Sequence, residues 1–199
     1  MYWEPGDMIS ISGASEPFTA TIEEPAPITT FVGSAAEAAE YYAVYPYSKA
    51  YSWDGSVVTL NVSDSQYAEN GGTFPNYYSE NISVAKSSGL DKNFVFHNIL
   101  GYIKFSIPEE LGSIIRMSVR SYGGEPLAGR ISIDCAEESP EAAVIDNAST
   151  YVQLKRLAFG YPEFEPGTYY IALLPGTYSE GLSFVFEDSD GKVAQKSIR

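Results

Sequence analysis

The sequence contains one cysteine, Cys135, and one histidine, His97. A single cysteine excludes an intramolecular disulfide and any zinc site built from cysteines alone. Any catalytic triad or cysteine–histidine pair would have to use His97, which lies between strand-like residues in the segment 94–99. We expect a structural or exposed role for His97. We also expect an inert structural thiol at Cys135, because it follows an alternating apolar segment.

Basic residues are also scarce, with 12 lysines and arginines against 26 acidic residues among 199, a net charge of -14. A polyphosphate or an anionic membrane surface attracts a basic face, so nucleic-acid and membrane-surface partners are disfavoured. No apolar run approaches the roughly 18 residues that a spanning helix needs. Residues 1–5 lack the basic and apolar regions of a signal peptide. Either the protein is cytosolic or its leader has been removed.

What the sequence does contain is period-two alternation of apolar and polar residues, which is typical of half-buried antiparallel strands. About ten such segments, separated by turn residues, predict an all-β protein with a β-sandwich or barrel. The alternating residues are Ile9 and Ile11; Phe18, Ala20 and Ile22; Val58, Leu60 and Val62; Ile99, Gly101, Ile103, Phe105 and Ile107; Ile115, Met117 and Val119; Ile131 and Ile133; Val152 and Leu154; Tyr169, Ile171 and Leu173; and Leu182, Phe184 and Phe186. The turn signals include Asp54-Gly55, Asn70-Gly71-Gly72, Gly123-Gly124, Pro166-Gly167, Pro175-Gly176 and Asp190-Gly191.

Three segments depart from this pattern. Residues 34–41 fit either a short capped helix or an alanine-rich loop before a strand. The proline-containing residues 13–27 predict an extended edge, and residues 63–88 predict a long loop. No internal repeat and no clear linker occurs, so we expect a single domain over residues 1–199.

Candidate catalytic and metal-binding groups are weak. The carboxylate pairs Glu23-Glu24, Glu109-Glu110 and Glu137-Glu138 are adjacent, so within a strand they would point to opposite faces. Residues 187–192 hint at a calcium loop, but a hairpin turn at Asp190-Gly191 explains them more simply. We therefore expect no enzyme activity, no catalytic residue, no metal and no cofactor.

Aromatic residues are abundant, with 16 tyrosines, 10 phenylalanines and 2 tryptophans, densest at residues 41–47 and at Tyr77-Tyr78. Such rings either stack on sugars or fill the space between two sheets. For residues 41–47 we favour packing between sheets. For a glycan site, the first candidates are Trp3 and Trp53.

An ordered set of phrases resembles the fimbrillin family of Bacteroidetes, the Mfa-like and FimA-like fimbrial subunits. Matches in this order span nearly the whole chain. They are the W-x-x-G-D-x-I phrase at residues 3–9, YYAVYPYS at 41–48, FVFHNILGYIKF at 94–105, LAG at 127–129, and YYIALLPGTY at 169–178 running into GLSF at 181–184.

The resemblance implies a fimbrillin-like N-terminal domain with a transthyretin-like β-sandwich fold, normally followed by a second β-domain that we expect to be absent here. It implies a lipoprotein precursor anchored to the outer membrane, whereas Cys135 is mid-chain. Polymerising family members are cut after an early basic residue and then exchange strands. Here no lysine or arginine precedes Lys49, so a tip, anchor or non-polymerising role is at least as well supported as a stalk role.

We therefore expect a non-enzymatic surface or fimbrial adhesion subunit that docks by β-strand addition. The expected partners are other fimbrial subunits and a host or bacterial surface glycan or protein. The alternative is a glycan-binding surface module that uses exposed tyrosines or tryptophans.

Overall fold

The computed structural model of the chain describes residues 2–68, 80–111, 113–156 and 163–198. These residues form seventeen β-strands and one 3₁₀ turn at Tyr47–Lys49, with no α-helix. The strands are β1 (Met8–Ile11), β2 (Phe18–Ala20), β3 (Phe31–Val32), β4 (Glu40–Tyr45), β5 (Ala50–Asp54), β6 (Val57–Val62), β7 (Ser65–Ala68), β8 (Ser83–Ser88), β9 (His97–Asn98), β10 (Gly101–Ile107), β11 (Ile114–Ser121), β12 (Ala128–Asp134), β13 (Ala143–Ser149), β14 (Tyr151–Arg156), β15 (Gly167–Leu173), β16 (Leu182–Asp188) and β17 (Val193–Ile198). Among the described residues, no helix is long and apolar enough to cross a membrane.

The chain divides into two compact units, each built from three stretches of sequence. Unit 1 comprises residues 1–61, 81–99 and 131–143, and unit 2 comprises residues 62–80, 100–130 and 144–199. Strands β6, β12 and β13 each continue from one unit into the other. The expected single domain over residues 1–199 stays a prediction, as does its transthyretin-like character.

Unit 1 contains a six-stranded sheet in the order β3-β2-β1-β4-β8-β9, and β5 with most of β6 and β12 from a four-stranded sheet ordered β13-β12-β6-β5. The two sheets contact each other inside the unit. The indole N–H of Trp53 on β5 donates to Ser10 Oγ on β1 at 2.9 Å. Lys86 Nζ on β8 donates to the carbonyl of Ala136, just beyond β12, at 2.6 Å. Fully buried aliphatic side chains on these strands include Val44, Val58, Leu60, Val84, Ile131 and Ile133.

Unit 2 contains a five-stranded sheet in the order β17-β16-β11-β14-β7 and a two-stranded antiparallel sheet of β10 and β15. Antiparallel pairing dominates the protein as predicted, although β14 pairs with β7 in parallel. The buried side chain of Gln66 on β7 joins the two sheets. Its amide nitrogen donates to the carbonyl of Ala172 at 2.7 Å, and its amide oxygen accepts the Ala172 N–H at 3.0 Å. Packed pairs of sheets of this kind confirm the predicted all-β sandwich class.

The three atypical segments differ in outcome. Residues 34–39 form a loop that leads into β4, so the loop alternative is the observed one. The expected edge at 13–27 is wrong, because β2 pairs with β1 on one side and with β3 on the other. The expected long loop at 63–88 is wrong at both ends, where β7 and β8 form. Asn70-Gly71-Gly72 and Tyr77-Tyr78 lie outside the described residues.

Replacing Gln66 should destabilise unit 2. The change Gln66→Leu leaves the N–H and the carbonyl of Ala172 buried without their partner, at a cost of about 2–4 kcal/mol in the free energy of unfolding. Gln195→Leu is the matched control, because Gln195 makes its hydrogen bonds on the exposed strand β17. Denaturant unfolding of both variants checks this, and an equal loss of stability in the two would contradict the role given to Gln66.

Candidate binding cleft

The two faces of strand β1 have different surroundings. Ile9 lies opposite Phe18 on β2, and Ile11 lies opposite Ala43 on β4, so these side chains share one face of the six-stranded sheet. Ser10 points to the other face, where it meets Trp53 of the second sheet. The face that carries Ile9 and Ile11 is therefore the outer face of the sandwich in unit 1.

A cleft of about 700 Å³ opens on this outer face. Its floor is apolar, with Ile9 and Ile11 buried. Six aromatic side chains line it, namely Trp3, Phe18, Phe31, Tyr41, Phe94 and Phe96. We call it the aromatic cleft. All of its lining residues belong to unit 1.

The W-x-x-G-D-x-I phrase builds one wall of the aromatic cleft. Pro5 and Gly6 form a tight turn in which Gly6 has a φ of +86°, a conformation that glycine adopts without strain. The turn is closed by the Asp7 N–H, which donates to the Glu4 carbonyl at 3.1 Å. One oxygen of the Asp7 carboxylate also accepts the Glu4 N–H at 2.8 Å. The W-x-x-G-D-x-I segment therefore forms a turn that is held by its own hydrogen bonds, and this turn positions the neighbouring Trp3.

The other oxygen of Asp7 fastens this turn to β4. It accepts the hydroxyl of Tyr45 at 2.9 Å. Burial of the ring, followed by the negative charge of Asp7, raises the pKa of Tyr45 well above its ordinary value. The tyrosine therefore stays protonated and keeps donating to the carboxylate.

Trp3 sits at the centre of an aromatic cluster. Its ring lies 4.9 Å from Phe31, 5.1 Å from Tyr45 and 5.2 Å from Phe96, measured between centroids, and each pair is close to perpendicular. Edge-to-face pairs of this kind add about 0.5–1.5 kcal/mol each beyond area burial. The backbone of Trp3 is held by a two-way hydrogen-bonded bridge to Ala26, at 2.8 and 3.0 Å.

The rim of the aromatic cleft is mostly polar. Besides the exposed Pro27 and Ile28, it is formed by Thr29, Thr30, Ser34, Asp91, Lys92 and Asn93. The last three follow β8 in a tight turn, in which the N–H groups of Asp91 and Lys92 donate to Ser88 at 3.1 Å. Asp91 also accepts the side-chain amide of Asn93. The cleft thus offers an aromatic wall and a rim with hydroxyl, amide, carboxylate and ammonium groups.

The two tryptophans that are the first candidates for a glycan site have different surroundings in the structure. Trp3 lines the aromatic cleft, whereas the N–H of Trp53 is used inside the sandwich by Ser10. Tyr42 shares the inner face with Val44, but Tyr41 and Tyr45 do not fill the space between sheets as expected. Tyr41 and Tyr45 share the outer face with Ala43, while Val44 takes the inner face opposite Val84. Sequence reasoning missed Phe18, Phe31, Phe94 and Phe96 as cleft residues, although Phe94-x-Phe96 has strand-like spacing.

The other candidate residues are not gathered into a site. His97 is exposed on β9, and the carboxylates of Glu23-Glu24, Glu109-Glu110 and Glu137-Glu138 are all exposed and outside the strands. Asp190-Gly191 forms the predicted hairpin between β16 and β17, with Asp188 accepting the N–H groups of Asp190 and Lys192 at 3.0 and 2.8 Å. In the described part of the chain, no three acidic, cysteine or histidine side chains come together in a way that could hold a metal ion.

Cys135 lies buried in unit 1. Burial, with a smaller contribution from Asp134, raises the pKa of its thiol to about 12. Because the thiolate is the reactive form, this environment suppresses nucleophilic chemistry, in line with the expected structural role.

Comparison with known proteins gives one likeness in fold. No protein-family model and no curated protein matches the sequence. A solved structure that the chain resembles is that of a "putative cell adhesion protein" from Bacteroides ovatus, with a TM-score of 0.55. The match covers 98% of this chain and 77% of that chain at 13% sequence identity. At that identity the likeness shows a shared fold, and the resemblance to fimbrillins stays a prediction.

We expect Cys135 to be unreactive in the folded protein. A maleimide reagent at pH 8 should label the native chain very slowly and the guanidinium-unfolded chain at once, because only unfolding restores solvent access and an ordinary thiol pKa. Mass spectrometry of timed samples measures both rates. Rapid stoichiometric labelling of the native chain would show that the thiol is accessible.

The aromatic cleft should also depend on Gly33. A Cβ at this position would lie 2.5 Å from two ring carbons of Phe18, whereas at Gly176 the nearest atom lies 4.0 Å away. We expect Gly33→Ala to cost about 1–3 kcal/mol through overpacking. Gly176→Ala should stay within about 0.5 kcal/mol of the parent. Thermal and denaturant unfolding distinguish the two, and similar losses in both would refute the close packing of Gly33 on Phe18.

Proposed function

We propose that this protein is a non-enzymatic adhesion subunit of the cell surface that docks to a partner subunit by β-strand addition. Two observations support the proposal. The fold resembles that of the Bacteroides ovatus protein. In the described residues, the candidate catalytic and metal-binding side chains lie apart from one another, either on the surface or in the core. We infer the docking mode from strand β17, which is an exposed edge strand.

Strand β17 lies at the end of the five-stranded sheet and pairs with β16 over six residues, from Val193 opposite Glu187 to Ile198 opposite Leu182. All six of its residues are exposed. Backbone hydrogen bonds therefore hold β17 in place with little burial of side chains. Such a strand is the easiest in a sheet for an incoming strand to extend or to displace.

The neighbouring strand β16 can keep its position when β17 is displaced. Its residues are buried or half-buried, so they remain anchored in unit 2 when β17 leaves. The freed edge of β16 would then present the same row of N–H and carbonyl groups to a partner strand. Affinity would come from this backbone ladder, and specificity from the side chains that alternate along the incoming strand.

Charge favours a partner strand of complementary sign. Lys192 precedes β17 and Lys196 lies within it, in a chain whose net charge is -14. Opposite charges on directly paired strands contribute roughly 0.2–1 kcal/mol each. A strand that extends the sheet beside β17 should thus pair better when it carries acidic residues. A strand that displaces β17 instead meets Glu187 and Asp188 of β16 and is favoured by lysines such as those of residues 192–198.

Residues 1–48 contain no lysine or arginine, so a protease specific for basic residues has no cleavage site within them. We propose that a tip or anchor position is at least as well supported as a stalk position.

The test is uptake of a fluorescent peptide with the sequence of residues 192–198. Lys196→Pro removes a ladder donor of β17 that pairs with Phe184 on β16 and loosens the strand, so this variant should capture the peptide with an affinity at least about tenfold higher than the parent, or 1.4 kcal/mol. Fluorescence anisotropy measures binding. A control peptide with Ala194→Pro and Lys196→Pro cannot form the ladder and should not bind.

Absence of peptide binding to both proteins over days would overturn strand addition at this edge. Binding of the proline-containing control peptide as tightly as the parent peptide would also overturn it, because the ladder would then contribute nothing.

A further inference from the structure

We propose that the aromatic cleft of unit 1 is a binding site for a neutral carbohydrate. This goes beyond docking through β17 and involves different residues. The inference rests on the size of the cleft, the chemistry of its wall and rim, and the charge of unit 1.

The size fits a small ligand. Clefts that enclose small molecules usually measure about 300–1,000 Å³, and this one measures about 700 Å³. A short oligosaccharide fits within that range. A donated strand is a poorer occupant, because the edge of the sheet beside the cleft is β3, which offers only the two residues Phe31–Val32 for pairing.

The aromatic wall and the polar rim of the cleft complement a pyranose ring, which has a C–H face and hydroxyl groups at its edge. One side of the ring presents C–H groups that pack on aromatic carbon, as supplied by Trp3 and Phe96. The hydroxyls at the ring edge need hydrogen-bonding partners, as supplied by Asp91, Asn93 and Ser34. A purely apolar ligand would cover these rim groups without satisfying them, which costs free energy.

Charge selects a neutral ligand over an acidic one. Unit 1 contains thirteen acidic residues and three lysines, and the lysine that lines the cleft, Lys92, lies next to Asp91. The summed field of such a unit repels anions. Fatty acids and sialylated or uronic sugars are therefore disfavoured, although their apolar parts would fit the wall.

Trp3 provides the signal for a test. In a Trp53→Phe background it is the remaining tryptophan, so its fluorescence reports the cleft alone. The probes are cellobiose, maltotriose, N-acetyllactosamine and α1,2-mannobiose as neutral sugars, with sialyllactose and dodecanoate as anions. We expect a neutral probe to change the Trp3 emission with a Kd near or below about 1 mM. Calorimetry on the parent chain should give the same Kd.

Two rim variants test the geometry. Asp91→Asn and Asn93→Ala should each weaken binding of that sugar by about tenfold or more. Asp54→Asn is the matched control, because Asp54 is exposed on β5 and does not line the cleft, and it should leave the Kd unchanged. Lys196→Pro, which loosens β17, should also leave the Kd unchanged, so failure of strand addition and failure of sugar binding are told apart.

The proposal is overturned if no neutral probe changes the Trp3 emission at about ten times the expected Kd. It is also overturned if dodecanoate or sialyllactose binds more tightly than every neutral sugar, or if the rim variants bind like the parent.

Discussion

The carboxylate of Asp7 is the interaction on which the outer face of unit 1 depends. One oxygen closes the turn at Glu4, and the other holds the hydroxyl of Tyr45 on β4. Hydrogen bonds to a charged acceptor are worth about 1.5–3 kcal/mol, more than those between neutral groups. Since Trp3 leaves this turn and packs on Tyr45, the same carboxylate sets the position of the cluster that walls the aromatic cleft.

Strand prediction succeeded where one face of a strand is buried and the other is not. The alternating segments at Ile9, Val58, Met117 and Tyr169 are all strands, and the Asp190-Gly191 hairpin lies where its residues predict. Strands without that contrast were not predicted from the sequence. All six residues of β17 are exposed, so alternation has no meaning there. Strand β8 buries two serines and an alanine beside Val84, so it carries one large apolar residue and no alternating row of them.

The candidate site was harder to predict than the fold, for a related reason. Period two shows that Ile9 and Ile11 share a face, but it does not show whether a second sheet covers that face. The two tryptophans illustrate the point. Both stand beside strand-like residues in the sequence, yet Trp53 is used within the sandwich by Ser10, which lies on the face of β1 opposite to the cleft. Only the pairing of distant strands decides which ring meets solvent.

The charge of the chain constrains how it can associate. Copies that carry -14 repel one another, which suppresses non-specific contact between subunits. Salt screens this repulsion beyond about 8 Å under physiological conditions, so it acts mainly on close approach. Backbone hydrogen bonds at a strand edge are short-ranged, directional and independent of side-chain charge. The strong negative charge is therefore compatible with the proposed addition of a strand at β17 and with the proposed binding of a neutral ligand in the cleft.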